Sequence, residues 1–178
     1  MGSLPVVGKA HEAAAGAGFT WFIYASSLDR AAFASWAAQH GYAMPDFAAA
    51  FPARLDGFRL SFDVESRFWG GAVASLTEDP ASGVEGLALP LPGSARGLVD
   101  HKEGAISGLY APFPVQVTAL ADGKTSPALA FRASPDRKLD HDATPSRRFL
   151  ETLIAGAQAS GLSAEHIARL QAHLASAR

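Results

Sequence analysis

Phe19-Thr-Trp-Phe-Ile-Tyr-Ala-Ser-Ser-Leu28 is the stretch on which the fold turns. Phe19 to Tyr24 is aromatic and β-branched, the composition of a buried strand. Ala25-Ser-Ser27 breaks that pattern, and Asp29 stands where a helix cap belongs. Behind it Phe33, Trp36 and Ala37 recur at the three-and-four spacing of one helical face, which Gly41 ends. A strand that runs directly into a helix start exposes several backbone N–H groups at the turn, and these suit a carboxylate or a developing oxyanion.

Outward from this unit, Leu55, Phe58, Leu60, Phe62 and Val64 approximate the period of two of a half-buried strand, with Asp56-Gly57 as a bend. Gly71 to Leu76 and Gly83 to Leu89 read as two further strands, stopped by Pro90 and Pro92, and Ser94 as the cap of a short helix leading to Glu103. Val115 and Val117 start another strand, with Ser126 to Arg132 as its partner. Ala133 to Thr144 carries Pro135, three aspartates, Arg137, Lys138 and His141, which marks a solvated loop. After Pro145, Phe149, Leu150, Leu153, Ile154 and Ala157 share one helical face. Gly161 and Ser163 separate that helix from a last one with Ile167, Leu170 and Leu174. With no repeat and no linker, the pattern is α+β around a central sheet or barrel: a loose arm at residues 1–18, then one domain at residues 19–178.

Composition narrows the function. The 178 residues suffice for one domain with a sizeable core. Fifteen Lys and Arg against seventeen Asp and Glu leave a formal charge of −2, and neither sign gathers into a block, so nucleic acid and membranes are not expected partners. There is no cysteine, which fits a reducing, bacterial-type cytoplasm. Leu4 to Val7 is too short for the ~7–15 apolar residues of a secretory segment, and no run approaches the ~20 that span a bilayer. The histidines at 11, 40, 101, 141, 166 and 173 have no metal-binding spacing, and Asp140-His-Asp142 reads as a solvated patch. His101 reads as a surface helical residue. Ser26 and Ser27 lack the Gly-x-Ser-x-Gly elbow of an α/β-hydrolase. No motif calls for a metal, nucleotide or flavin, so no cofactor is expected. A homodimer is compatible with the sequence.

Five segments, in order, resemble the gamma-glutamyl cyclotransferase family, including its AIG2-like branch. Phe22-Ile-Tyr-Ala-Ser-Ser-Leu28 resembles the family's aromatic strand running into Tyr-Gly-Ser-Asn-Leu. Arg54-Leu-Asp-Gly-Phe-Arg-Leu60 resembles its second strand, and Phe68-Trp-Gly-Gly-Ala-Val73 its Gly-Gly turn. Glu103-Gly104 followed by Ser107-Gly-Leu-Tyr110 resembles its catalytic Glu-Gly and the Gly-x-Tyr beyond. Pro145 to Ala157 with Gly161-Leu162 resembles its C-terminal helical pair. The resemblance covers about Phe19 to Leu174. It implies a small mixed β-barrel or sheet with flanking helices and two C-terminal helices, and a cavity near the end of the first strand. It further implies a cytoplasmic, cofactor-independent enzyme acting on a small molecule, in glutathione metabolism or alongside it. In that reaction the α-amine of a γ-glutamyl amino acid or amine attacks its own γ-carbonyl, closing 5-oxoproline and expelling the amine.

Under the resemblance Glu103 is the catalytic carboxylate, moving a proton from the attacking amine to the leaving nitrogen. The role requires burial that lifts its pKa above ~4.3, and Gly104 would let the backbone approach the substrate closely. Phe22, Ile23, Tyr24, Ala25, Ser26, Ser27 and Leu28 would bind substrate, with Tyr110 either directing its hydroxyl into the cavity or filling the core and hydrogen-bonding at its tip. Ala25 stands for the family's Gly, at ~1–2 kcal/mol if the position is left-handed, and Ser27 for its Asn, without the paired donor and acceptor of a carboxamide. The Pro135 to Asp142 insertion lacks the aromatic group that the family tends to place there. These departures keep two alternatives open: the same fold acting on another amide, and a non-catalytic binder of acidic small metabolites.

Overall fold

A computed structural model describes residues 16–177. Residues 1–15 of the expected arm lie outside the described residues, while Gly16 already rests against Gly93. Five strands form a closed barrel: β1 (Phe19–Ile23), β2 (Phe51–Ser66), β3 (Gly71–Leu91), β4 (Tyr110–Ala119) and β5 (Thr125–Ala133), in the order β1-β3-β2-β4-β5. The neighbouring pairs are antiparallel except at the closure, where β1 meets β5 in parallel at Trp21 and Leu129. Four α-helices flank the barrel: α1 (Arg30–Gln39), α2 (Arg96–Lys102), α3 (Arg147–Ala159) and α4 (Ala164–Ala172). The expected α+β architecture is therefore present, with two helices at the C-terminal end.

Strand β1 lacks polar alternation because barrel interior and packed helices cover both its faces; Trp21, Phe22 and Ile23 are all buried. The indole of Trp21 meets the Phe33 ring of α1 edge-on at 5.8 Å. The cap at Asp29 forms, its side chain accepting from Ala32 N–H at 2.9 Å. Ser146 and Ser163 cap α3 and α4 in the same way, accepting from the N–H groups of Phe149 and His166. Glu85, buried on β3, accepts from both the N–H and the hydroxyl of Ser163, and so ties α4 to the barrel.

Three sequence expectations need correction. Gly71–Leu76 and Gly83–Leu89 belong to one strand, β3, which runs on through Pro90 to Leu91. Pairing with β2 lapses between Glu78 and Gly83, which face Phe58 and Asp56 respectively. In that interval Pro80 has no N–H to give, and the Asp79 carboxylate satisfies Ala81 N–H and the Ser82 hydroxyl locally, so the chain bulges and resumes its course. A second irregularity lies between Ser61 and Val64 of β2. There the Phe62 and Asp63 carbonyls turn out of the ladder and accept from Ala143 and Leu139 N–H of the long loop. Ser94 does not cap α2: it lies inside the 3-10 turn Gly93–Ala95, and α2 starts after Ala95 with no side-chain cap.

Helix α3 positions the turn after β1. Its Gly156 lies against the 3-10 turn Ser26–Leu28, and a Cβ built there would stand 2.5 Å from Asp29 N and 2.6 Å from the Leu28 carbonyl carbon. Backbone against backbone leaves neither side room to yield. Gly156→Ala is expected to lower unfolding stability by about 1–3 kcal/mol, read from the urea midpoint at constant m. An unchanged midpoint would mean that α3 moves away from the turn freely.

Candidate active site

Glu103 is the C-cap of α2, and the helix closes there in a Schellman arrangement: Gly104 N–H donates to the His101 carbonyl at 3.1 Å and Ala105 N–H to that of Asp100 at 2.8 Å. Gly104 has φ of +72°, and its nearest neighbour would be an ordinary 3.5 Å from a Cβ. Gly104 takes the left-handed turn that closes the helix. That turn leaves the Glu103 side chain on the wall of a cavity of about 200 Å³ between α2 and the end of β1.

Tyr24, Ala25, Ser26, Ser27 and Tyr110 line this cavity together with Glu103. Phe22, Ile23 and Leu28 do not. Their side chains are buried in the core, Phe22 against Gly86 and Leu28 against Gly156. Ala25 has φ of −126°, outside the left-handed region, so its methyl group carries no backbone strain. In the turn, Leu28 and Asp29 N–H donate to the Ala25 and Ser26 carbonyls, while the N–H groups of Ser26 and Ser27 have no partner among the described residues. No residue of the Pro135 to Asp142 insertion lines the cavity. That loop follows β2 instead, and Asp142 pairs with Arg59 at 3.1 Å.

Burial raises the Glu103 carboxyl from 4.5 to about 7. The Lys102 ammonium next to it opposes that rise, and the Trp21 indole N–H opposes it more weakly. Trp21 Nε1 is buried without a formed hydrogen bond among the described residues, so this donor remains free to tighten onto a carboxylate. Lys102 lies over the rings of Trp36 and Phe33, at 5.2 and 5.8 Å, and its own pKa is pushed down by burial.

Both tyrosines are closed donors. The Tyr24 hydroxyl donates to the Phe131 carbonyl at 2.5 Å and that of Tyr110 to the Ala74 carbonyl at 2.7 Å. Burial above all, with nearby negative charge added, raises both phenols above their ordinary value. They stay neutral and give the cavity a fixed wall; the two readings of Tyr110 turn out to be one, a cavity residue bonded at its tip. Asp63, buried on β2 with one carboxylate oxygen unpaired, contributes to that field and sits 3.8 Å from Lys138 Nζ.

Sequence reasoning missed Trp21, Lys102, Trp69 and Asp63. Only Lys102 carried a signal, its place beside Glu103. His101 is half-buried, hydrogen-bonded to the Tyr42 hydroxyl at 3.1 Å and outside the cavity.

Residues 83–170 match the AIG2-like family, a span that includes Glu103 and Tyr110. Gamma-glutamylcyclotransferase of Bos taurus is 28% identical over 122 residues, 66% of this chain and 62% of its own length. Over these spans the chain is similar to the AIG2-like family and to gamma-glutamylcyclotransferase. A solved gamma-glutamyl cyclotransferase superposes with a TM-score of 0.73 at 24% identity, over 87% of both chains, which establishes the shared fold. YkqA from Bacillus subtilis gives 0.75 at 26% identity, over 90% of this chain and 55% of that one. The match thus spans less than two thirds of the bovine family member's length. Among the described residues, no helix is long and apolar enough to cross a membrane.

The raised Glu103 carboxyl ties stability to pH. In the unfolded chain the group ionises near 4.5, in the folded state near 7. Between those values the folded state keeps a proton that the unfolded state has released, so this group's contribution to stability falls as pH rises through the window and stays low above it. Glu103→Gln is therefore expected to raise Tm relative to the parent at about pH 8 and to leave it nearly unchanged at about pH 4. The same Tm difference at both pH values would mean a solvated carboxyl.

Proposed function

We propose that the chain is a gamma-glutamyl cyclotransferase whose catalytic unit is residues 19–178, working without a cofactor on a γ-glutamyl amino acid or amine. The reading is carried by one observation: a buried carboxyl raised to about 7 on the wall of the cavity that the turn after β1 also lines. The names of the family's characterised members point the same way.

The substrate's glutamyl part lies in the cavity, its α-carboxylate or developing oxyanion met by the Ser26 and Ser27 N–H groups. Glu103, ionised, takes a proton from the α-ammonium group. The freed amine attacks the γ-carbonyl carbon and a five-membered ring closes through a tetrahedral oxyanion. As the γ-amide C–N bond breaks, the Glu103 carboxyl gives its proton to the departing nitrogen; the restored carboxylate then passes the ring nitrogen's second proton to the released amine, so 5-oxoproline and an ammonium ion leave with Glu103 ionised as at the start. Magnitudes favour one group for both transfers. An α-amine titrates near ~8, so an acceptor at about 7 leaves an uphill step of roughly 1 unit, or ~1.4 kcal/mol, against roughly 5 kcal/mol for an ordinary glutamate. Holding the chain folded back supplies the remainder through proximity.

Glu103→Gln is expected to fold normally by circular dichroism and to lose about 10²–10⁴ in kcat, measured as 5-oxoproline released from a γ-glutamyl amino acid panel. For the parent, kcat/KM should rise with pH through about 7 as Glu103 ionises. Turnover retained in Glu103→Gln would remove the proposed shuttle.

A further inference from the structure

Beside the catalytic cavity lies a second, wider basin of about 720 Å³, and Ser26, Trp69 and Lys102 line both. The inner cavity, about 200 Å³, is smaller than the ~300–1,000 Å³ of sites that take a whole drug-sized ligand. It has room for the glutamyl part, and the rest of a conjugate must extend past the shared wall into the basin.

That basin has a definite chemistry. Its floor is aromatic: Trp36, Trp69 and Phe68, the last with 73% of its surface exposed and its ring edge-on to Trp69 at 5.1 Å. Its rim is cationic. The Arg148 guanidinium stands 5.0 Å from the Phe68 ring centre and 4.7 Å from that of Trp69, with one nitrogen donating to the Phe68 carbonyl. Lys102 also lines the basin, its ammonium over the Trp36 ring, and neither cation has an ion-pair partner within 4.0 Å among the described residues. No aspartate or glutamate among the described residues lines the basin. A leaving group with a second ammonium would meet like charge with nothing to offset it, whereas a carboxylate would meet a planar guanidinium suited to two-point binding.

Building on the cyclotransferase reading, we infer that this basin is the leaving-group subsite and that it selects γ-glutamyl conjugates of aromatic α-amino acids, with Arg148 holding the free carboxylate and Phe68 and Trp69 covering the ring. Lys102 adds long-range attraction for the same carboxylate. Arg148 acts on binding and not on the bonds that change, so its loss should appear in KM far more than in kcat.

The test separates binding from turnover. Three probes are used: γ-glutamylphenylalanine, its C-terminal carboxamide, and the γ-glutamyl conjugate of 1,4-diaminobutane. Calorimetry on Glu103→Gln is expected to show the acid bound at least about tenfold more tightly than the carboxamide, and the diamine conjugate more weakly still. Adding Arg148→Gln should reduce the acid-to-carboxamide ratio to within about threefold while carboxamide binding stays put; Arg148→Lys should recover part of it. Equal binding of acid and carboxamide, or a preference untouched by Arg148→Gln, overturns the subsite. The preference without 5-oxoproline from any probe and wild-type protein would remove the cyclotransferase reading and leave the subsite standing. Equal kcat/KM for all three probes would do the reverse, and no binding by any probe removes both.

Discussion

The carboxyl of Glu103 sits at the carbonyl end of α2, against a cavity wall that water reaches only in part, and the rest of the site is fitted to that dehydration. A carboxylate there is withdrawn from water, and that dehydration favours the protonated form. The neighbouring Lys102 prevents the shift from running further, but its own ammonium is drawn over the Trp36 ring and so acts as a moderate, distant charge. A direct ion pair would instead have fixed the glutamate as a permanent anion with little use as an acid.

Other polar groups around the cavity are arranged so as not to compete for that proton. The Tyr24 and Tyr110 hydroxyls are committed to barrel carbonyls, which holds them neutral and stationary. Trp21 differs from them: its buried indole N–H, like one carboxylate oxygen of Asp63, has no formed partner among the described residues. Beside the Glu103 carboxyl, this indole gives the ionised state a donor that the neutral state does not need.

Rigidity of the opposing wall comes from elsewhere in the chain. The turn after β1 is short and has few hydrogen bonds of its own, yet α3 lies on it at Gly156 with no space for a side chain. Helix α3 is in turn held by its buried face of Phe149, Leu150 and Leu153. The cavity beside Glu103 thus depends on a helix more than a hundred residues downstream of the turn it supports. The methyl group of Ala25 is accommodated for a similarly simple reason: φ there is −126°, outside the left-handed region that would require the glycine the sequence pattern suggested.

The sequence by itself determined what is local. The strand at Phe19, the cap at Asp29, the paired C-terminal helices and the Glu-Gly at the end of α2 were all legible, since each depends on residues within a few positions of one another. Where local signals misled, a distant partner had intervened: β3 reads as two strands around Pro80, but pairing with β2 on both sides of the bulge carries it through as one. Only the tertiary structure decided which side chains share the cavity, turning Phe22, Ile23 and Leu28 into the core and bringing Trp21, Trp69 and Lys102 toward Glu103. Alternation along a strand tells which residues share a face but not what that face will meet, and a pKa depends on the whole surrounding volume. Barrel closure brings those surroundings together, and no stretch of chain contains them.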